Sequence, residues 1–190
     1  MNTTPLTDEQ MLKRIVDGDH GAFEVLVRRH TDKFFGLAYR TVADRDLAAD
    51  IVQKSFIKLW QYPARFDPSS GASFTTWFYR VVLNEARDAL RRQKRLGVHV
   101  SVDGLSLAFE QPEETALQQE KEEKFETLER EIQSLPDRQK DALNLCFYEG
   151  LSNKEAASVL GVGVKALESL LMRGKARLKT KLQDDARGAS

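Results

Sequence analysis

A chain of 190 residues with 41% hydrophobic and 31% charged residues suits one large folded domain or two small ones. Its single cysteine, Cys146, excludes an intramolecular disulfide framework, and no window approaches the ~18 apolar residues of a membrane span. The formal net charge of +0 hides a partition: residues 1–95 carry 16 Lys and Arg against 12 Asp and Glu, residues 96–125 carry 2 against 7, and residues 126–190 carry 11 against 10. A chain so balanced does not grip DNA by charge alone, so any DNA binding needs affinity from elsewhere. Sparse Gly and Pro, with apolar residues at helical spacing, point to an all-α protein. No apolar run of signal-peptide type opens the chain, and a soluble cytoplasmic protein is expected.

Thr7-Asp8-Glu9-Gln10 has the form of a capping box, and it starts a short helix that runs to about Asp17 before Gly18. Asp19 can cap a second helix, whose apolar side is Phe23, Leu26, Val27, His30, Phe34, Leu37 and Ala38. A third begins near Asp44 and carries Leu47, Ile51, Val52, Ser55, Phe56, Leu59 and Trp60. "YPARFDPSSGAS" then breaks the period and reads as a loop. A fourth helix, about Phe74 to Arg95, ends in "RRQKR".

Residues 96–112 lose helical period and read as an extended linker; the alternation in "VHVSV" could suggest a strand, but nothing nearby pairs with it. Helix returns from Glu113 to Ser134, with Leu117, Phe125, Leu128, Ile132 and Leu135 along one face, and Pro136 ends it. Asp137 to Glu149 reads as one further helix. The expected organisation is two small helical domains, 1–95 and 113–190, joined by the linker.

The C-terminal stretch carries the sharpest pattern. Ser152-Asn153-Lys154-Glu155 is a second capping box, Ala156, Ala157 and Leu160 form a buried side, and Gly161 stands where a left-handed turn residue is needed. Leu167, Leu170 and Leu171 resume the rhythm, which completes a helix-turn-helix. A plain helical hairpin is the competing reading. The outer face of helix 164–180 is Lys165, Ala166, Glu168, Ser169, Met172, Arg173 and Lys175, and its first turns should meet base edges. Glu168 has two readings: a surface contact with Met172 and with Lys165 or Lys175, or acceptance of a hydrogen bond from cytosine N4.

"FTTWFYRVVLNEARDALRRQKR" interleaves Phe74, Trp77, Phe78 and Tyr79 with Arg80, Arg87, Arg91, Arg92 and Arg95. Aromatics among cations suit single-stranded nucleic acid, because bases stack on rings while cations follow phosphates. Their helical spacing favours the core for Trp77, Phe78 and Val81 instead. Asn84 lies among the basic residues and can address a base edge. The preceding loop, Arg65 to Ser73, is small and polar enough to form a pocket for an extruded base. His20, His30 and His99 are scattered, Cys146 has no CxxC partner, and metal-ligand spacing is lacking, so no catalytic constellation, metal or cofactor is expected.

With these motifs in view, the chain resembles a bacterial RNA polymerase sigma factor of the extracytoplasmic-function (ECF) class, over about residues 8 to 182. "DLAADIVQKSFIKLW" is similar to the helix that docks on the polymerase clamp, the aromatic-basic helix to the segment that melts and reads the −10 element, and "LPDRQKDALNLCFYEGLSNKEAASVLGVGVKALESLLMRGKARL" to the −35-reading domain. The resemblance implies core RNA polymerase and promoter DNA as partners, as duplex −35 and melted −10 elements, with an anti-sigma factor and no membrane insertion. It assigns polymerase binding to Asp50, Gln53, Lys54, Phe56 and Trp60. It assigns the −10 element to Arg65, Ser69, Ser70, Phe74, Trp77, Arg80, Asn84, Arg87 and Arg91. It assigns the −35 element to Lys165, Ala166, Glu168, Ser169, Met172, Arg173 and Lys175.

Two positions depart from the family pattern. Gln53-Lys54 stands where a Gln is usually followed by an acid, and Ala166-Leu167-Glu168-Ser169-Leu170 replaces a more basic Thr-Val-Lys/Arg-Ser-Arg. The rival reading is a stand-alone helix-turn-helix regulator, which needs tight DNA binding without polymerase. A protein-binding adaptor is a second rival, and it leaves the aromatic-basic helix unexplained.

Overall fold

The computed structural model describes residues 6–97 and 127–188, which fall into two separate helical units. All but the first two residues of the expected linker 96–112 lie outside the described residues, as do the expected helix start at Glu113, Leu117 and Phe125. No strand occurs among the described residues.

The first unit contains α1 (Asp8–Val16), α2 (His20–Val42), α3 (Arg45–Gln61) and α4 (Phe74–Arg95). Each start is fixed by a side chain that accepts an otherwise orphaned backbone N–H. Thr7 forms the full capping box with Gln10, Asp19 Oδ1 accepts from Ala22 N–H at 3.0 Å, and Asp44 Oδ1 accepts from Leu47 N–H at 2.9 Å. Ser73 Oγ accepts from Thr76 N–H at 3.1 Å to open α4. α2, α3 and α4 pack around an aromatic core. Phe34 lies 4.7 Å from Phe78 and 5.2 Å from Tyr79, and Phe56 lies 4.8 Å from Phe78. Each such ring contributes ~1.5–3 kcal/mol of burial to the unit's stability. His30, also buried, meets Asp8 Oδ2 through Nε2 at 2.8 Å, while Arg29 Nη1 donates to Asp8 Oδ1 at 2.8 Å; together they tie α1 onto α2.

The second unit contains α5 (127–133), α6 (Asp137–Leu143), α7 (Asn153–Leu160) and α8 (Val164–Gly188). The single helix expected over Asp137–Glu149 is corrected: after Leu143 the backbone widens into a π turn, Asn144–Tyr148. The wide turn passes its first carbonyl to Glu149 N–H at 3.0 Å, and Leu151 N–H, beyond Gly150, returns to Leu145 O at 3.0 Å. Leu145 is thereby buried while Phe147 stays 57% exposed. α6 and α7 both pack on α8. Lys181 on α8 reaches Glu131 Oε2 and Ser134 Oγ, each at 2.7 Å, and so anchors the far end of that helix to α5 and the turn after it.

Candidate nucleic-acid interface

The loop before α4 is made of two 3-10 turns, Pro63–Arg65 and Pro68–Ser70. Asp67 organises the second: Ser69 donates to Asp67 Oδ1 from its backbone at 2.8 Å and from its hydroxyl at 2.7 Å. The hydroxyl bond, then the backbone bond, hold the Asp67 carboxyl below its ordinary range. Ser69 is therefore engaged within the loop, and Ser70 closes the same turn before Gly71 at φ 73°. Phe66 is the anchor that sequence reading missed. It is buried between the turns, edge-on to Phe74 at 6.1 Å and 5.6 Å from Trp77. Arg65 lays its guanidinium over the exposed Tyr62 ring at 4.5 Å, a second aromatic absent from the expected set.

On α4, Trp77, Arg80, Asn84, Arg87 and Arg91 recur at three-to-four-residue spacing and form one stripe. Arg80, Asn84 and Arg91 are exposed, and Trp77 and Arg87 are half-buried. Phe74 is a correction. It is 0% exposed, packed on His30, Phe66 and Phe78, and its ring cannot stack on a base while the fold is intact. Phe78 is core as expected, whereas Trp77 and Val81 stop at half-burial. Arg91 pairs with Asp88, and that hydrogen bond is the leading cause of the lowered Asp88 pKa. Beyond them Arg92, Lys94 and Arg95 join Asp88 and Arg91 around an open basic concavity.

On α3, Asp50, Gln53 and Lys54 share an exposed face with Ile57, which is 46% exposed and was not in the expected set. Lys54 Nζ lies 3.5 Å from Asp50 Oδ2, so the cation that stands where an acid was expected partly neutralises its neighbour. Trp60 is half-buried beside His20 at 4.4 Å and Phe23 at 5.0 Å. Phe56 is a second correction: at 4% exposure it belongs to the aromatic core and offers no docking surface.

The helix-turn-helix is built by its caps. Ser152 and Glu155 exchange hydrogen bonds at the start of α7. At its end Gly161 adopts φ 65°, with Val162 N–H on Ala157 O at 3.0 Å and Gly161 N–H on Ser158 O at 3.2 Å. Ala156, Ala157, Leu160, Leu167 and Leu171 are buried, and Leu170 and Val162 are half-buried. Lys165, Ala166, Glu168, Met172, Arg173 and Lys175 are exposed along α8, and Ser169 is half-buried. Ser169 Oγ donates to Lys165 O at 3.0 Å, and Arg173 Nε donates to Ser169 O at 3.1 Å. Lys175 stands over the Phe147 ring at 4.6 Å. Glu168 forms no ion pair with Lys165 or Lys175 among the described residues. Cys146 is half-buried, and burial pushes its thiol pKa up.

Comparison with known proteins falls along the same two units. Residues 26–96 match the family Sigma-70 region 2, and residues 125–178 match Sigma-70, region 4. The chain is 32% identical over 186 residues to the RNA polymerase sigma-H factor of Pseudomonas aeruginosa, covering 93% of this chain and 94% of that protein. It is 32% identical over 188 residues to the ECF RNA polymerase sigma-E factor of Escherichia coli, covering 94% and 95%. Among solved structures it is similar to CnrH in complex with the cytosolic domain of CnrY, at 27% identity and a TM-score of 0.66, covering 94% of this chain and 98% of that one. The fold also matches the sigma factor RpoE in complex with the anti-sigma factor NepR from Bartonella quintana, at 21% identity and a TM-score of 0.67, over 85% and 96% of the two chains.

Proposed function

The chain belongs to the ECF class of the sigma-70 family, and from that premise we propose how its two units divide the work of transcription initiation. It binds core RNA polymerase and directs promoter recognition, DNA melting and initiation, and an anti-sigma factor restrains it. It acts in the cytoplasm, where the polymerase is, and takes no catalytic step of its own.

The first unit, region 2, docks on polymerase through the α3 face of Asp50, Gln53, Lys54 and Ile57, with Trp60 at its edge. The same unit takes the melted −10 strand. Arg65 and the turn Pro68–Ser70 border the pocket for an extruded base, and the stripe Trp77, Arg80, Asn84, Arg87 and Arg91 tracks the strand along α4. Phe66 and Phe74 do not touch DNA in this reading; they hold the loop on the helix that carries the stripe. The second unit, region 4, lays α8 in the major groove of the −35 element, with Lys165 and Glu168 toward base edges and Arg173 and Lys175 toward phosphates.

One observation supports this division above the others: two independently packed units each carry an exposed polar face, and they occur in the order region 2, region 4. The likeness to CnrH, solved in complex with the cytosolic domain of CnrY, supports restraint by a protein partner, here an anti-sigma factor. Run-off transcription with core polymerase tests the whole reading. The purified chain should confer initiation on promoters selected by the reconstituted holoenzyme. A chain that never confers initiation, yet retards duplex DNA by itself at physiological salt, is a stand-alone regulator instead.

A further inference from the structure

The outward face of α8 leaves the charged groups of Lys165 and Glu168 without a side-chain partner among the described residues. Ser169 spends its hydroxyl on Lys165 O, Arg173 commits Nε to Ser169 O, and Lys175 rests on the Phe147 ring. The Glu168 carboxylate, among the described residues, has no hydrogen bond or ion pair. Its neighbours one turn away on either side, Val164 and Met172, are apolar and exposed at 41% and 67%. Pressed into a groove, this patch loses water. A carboxylate then left without a donor would cost far more than an apolar side chain, so a donor on the surface opposite is favoured.

We propose that Glu168 is a specificity-determining residue that accepts a hydrogen bond from the N4 amino group of a cytosine in the duplex −35 element. This inference rests on the placement of α8 in the major groove proposed above. The chemistry leaves few choices. An ionised carboxylate is acceptor-only. In the major groove, guanine offers N7 and O6 and thymine offers O4, all acceptors that repel it. Adenine offers its N6 amino group, but N7 sits beside it and opposes the second carboxylate oxygen. Cytosine presents N4 as a donor with no adjacent acceptor on its own edge. Glu168 lies on the second turn of α8, within the N-terminal part of a recognition helix that reaches base edges. Met172 adds no donor that could neutralise the carboxylate, and Lys165, three residues before Glu168, makes no ion pair with it.

A randomised −35 library transcribed by the reconstituted holoenzyme tests the assignment. The native chain should favour cytosine at one position by about 5- to 150-fold. Glu168→Ala should flatten that position and leave the others as they were. Glu168→Gln should move the preference toward adenine, whose N6 and N7 suit a carboxamide. Identical profiles for the native chain and Glu168→Ala would overturn the proposal. Selecting the same duplex library by binding to the free full-length chain at low salt separates this outcome from a failure to initiate. Cytosine enrichment that Glu168→Ala abolishes supports the reader whether or not transcription starts; equal enrichment in both proteins refutes it.

Discussion

Ser152 and Glu155 hold the entry to the helix-turn-helix by reciprocal hydrogen bonds: Ser152 N–H donates to Glu155 Oε2 at 2.9 Å, and Glu155 N–H donates to Ser152 Oγ at 3.3 Å. The Ser152 hydroxyl also donates to that carboxylate at 2.6 Å, and this bond, ahead of the backbone one, holds the Glu155 pKa below its ordinary 4.5. The folded state therefore binds fewer protons than the unfolded chain between the lowered value and 4.5. Stability from this contact is complete above the unfolded value and is lost as pH falls through the folded one. Ser152→Ala should cost the second unit about 1 kcal/mol near neutrality. It should also flatten the part of the acid limb that belongs to Glu155. Denaturant unfolding followed by circular dichroism from neutral pH into the acid range measures both effects. Equal stability of the two proteins at neutral pH would show that the cap is dispensable.

Gly174 shows what an element requires beyond its own helix propensity. It sits inside α8 and is buried against α6, where an added Cβ would meet Leu143 Cδ1 at 3.0 Å and Gln139 Cβ at 3.6 Å. A glycine in mid-helix ordinarily costs ~1 kcal/mol relative to alanine, so its use here reflects the close approach of the two helices. Gly174→Val would drive branched methyls into Leu143 and should destabilise the second unit by about 1–3 kcal/mol. Thermal unfolding checks this, and an unchanged midpoint would mean that α6 and α8 can separate freely. Helix starts were legible in the sequence because caps are local: Thr7, Asp19 and Ser152 cap as their residue types predicted, and the helix expected near Asp44 is capped by it. The π turn at Asn144–Tyr148 was not legible, since no residue there marks it and it is closed by backbone bonds, Glu149 N–H to Asn144 O and Leu151 N–H to Leu145 O. Phe56 and Phe74 came to partner surfaces from the resemblance, while the helical period that already set Phe56 among apolar positions agrees with the burial of both rings. Phe66 and Tyr62 were missed because a loop has no period to read.

At the scale of the molecule, the charge partition decides where DNA affinity comes from. The second unit lies within residues 126–190, whose 11 cations face 10 anions, and its recognition helix spends one exposed position on Glu168. Electrostatic neutralisation of phosphates supplies most non-specific binding, so this unit alone should hold duplex weakly. Polymerase supplies the rest by presenting both units to one promoter, which converts the second contact into an intramolecular one. The free chain should therefore form no promoter-specific duplex complex at ~0.15 M salt, whereas the holoenzyme should. Arg173 is the sharper probe. Its Nε donates to Ser169 O while the residue stays exposed, and in this reading its guanidinium meets a phosphate. Arg173→Ala should weaken holoenzyme binding about equally across −35 sequences and lower the log–log salt slope by about one. Its affinity for core polymerase should stay unchanged. Fluorescence anisotropy across a salt series, with labelled promoter and separately with labelled core, reads all three quantities. A loss confined to particular bases would make Arg173 a base reader, and a loss of core binding would move α8 from the promoter to the polymerase.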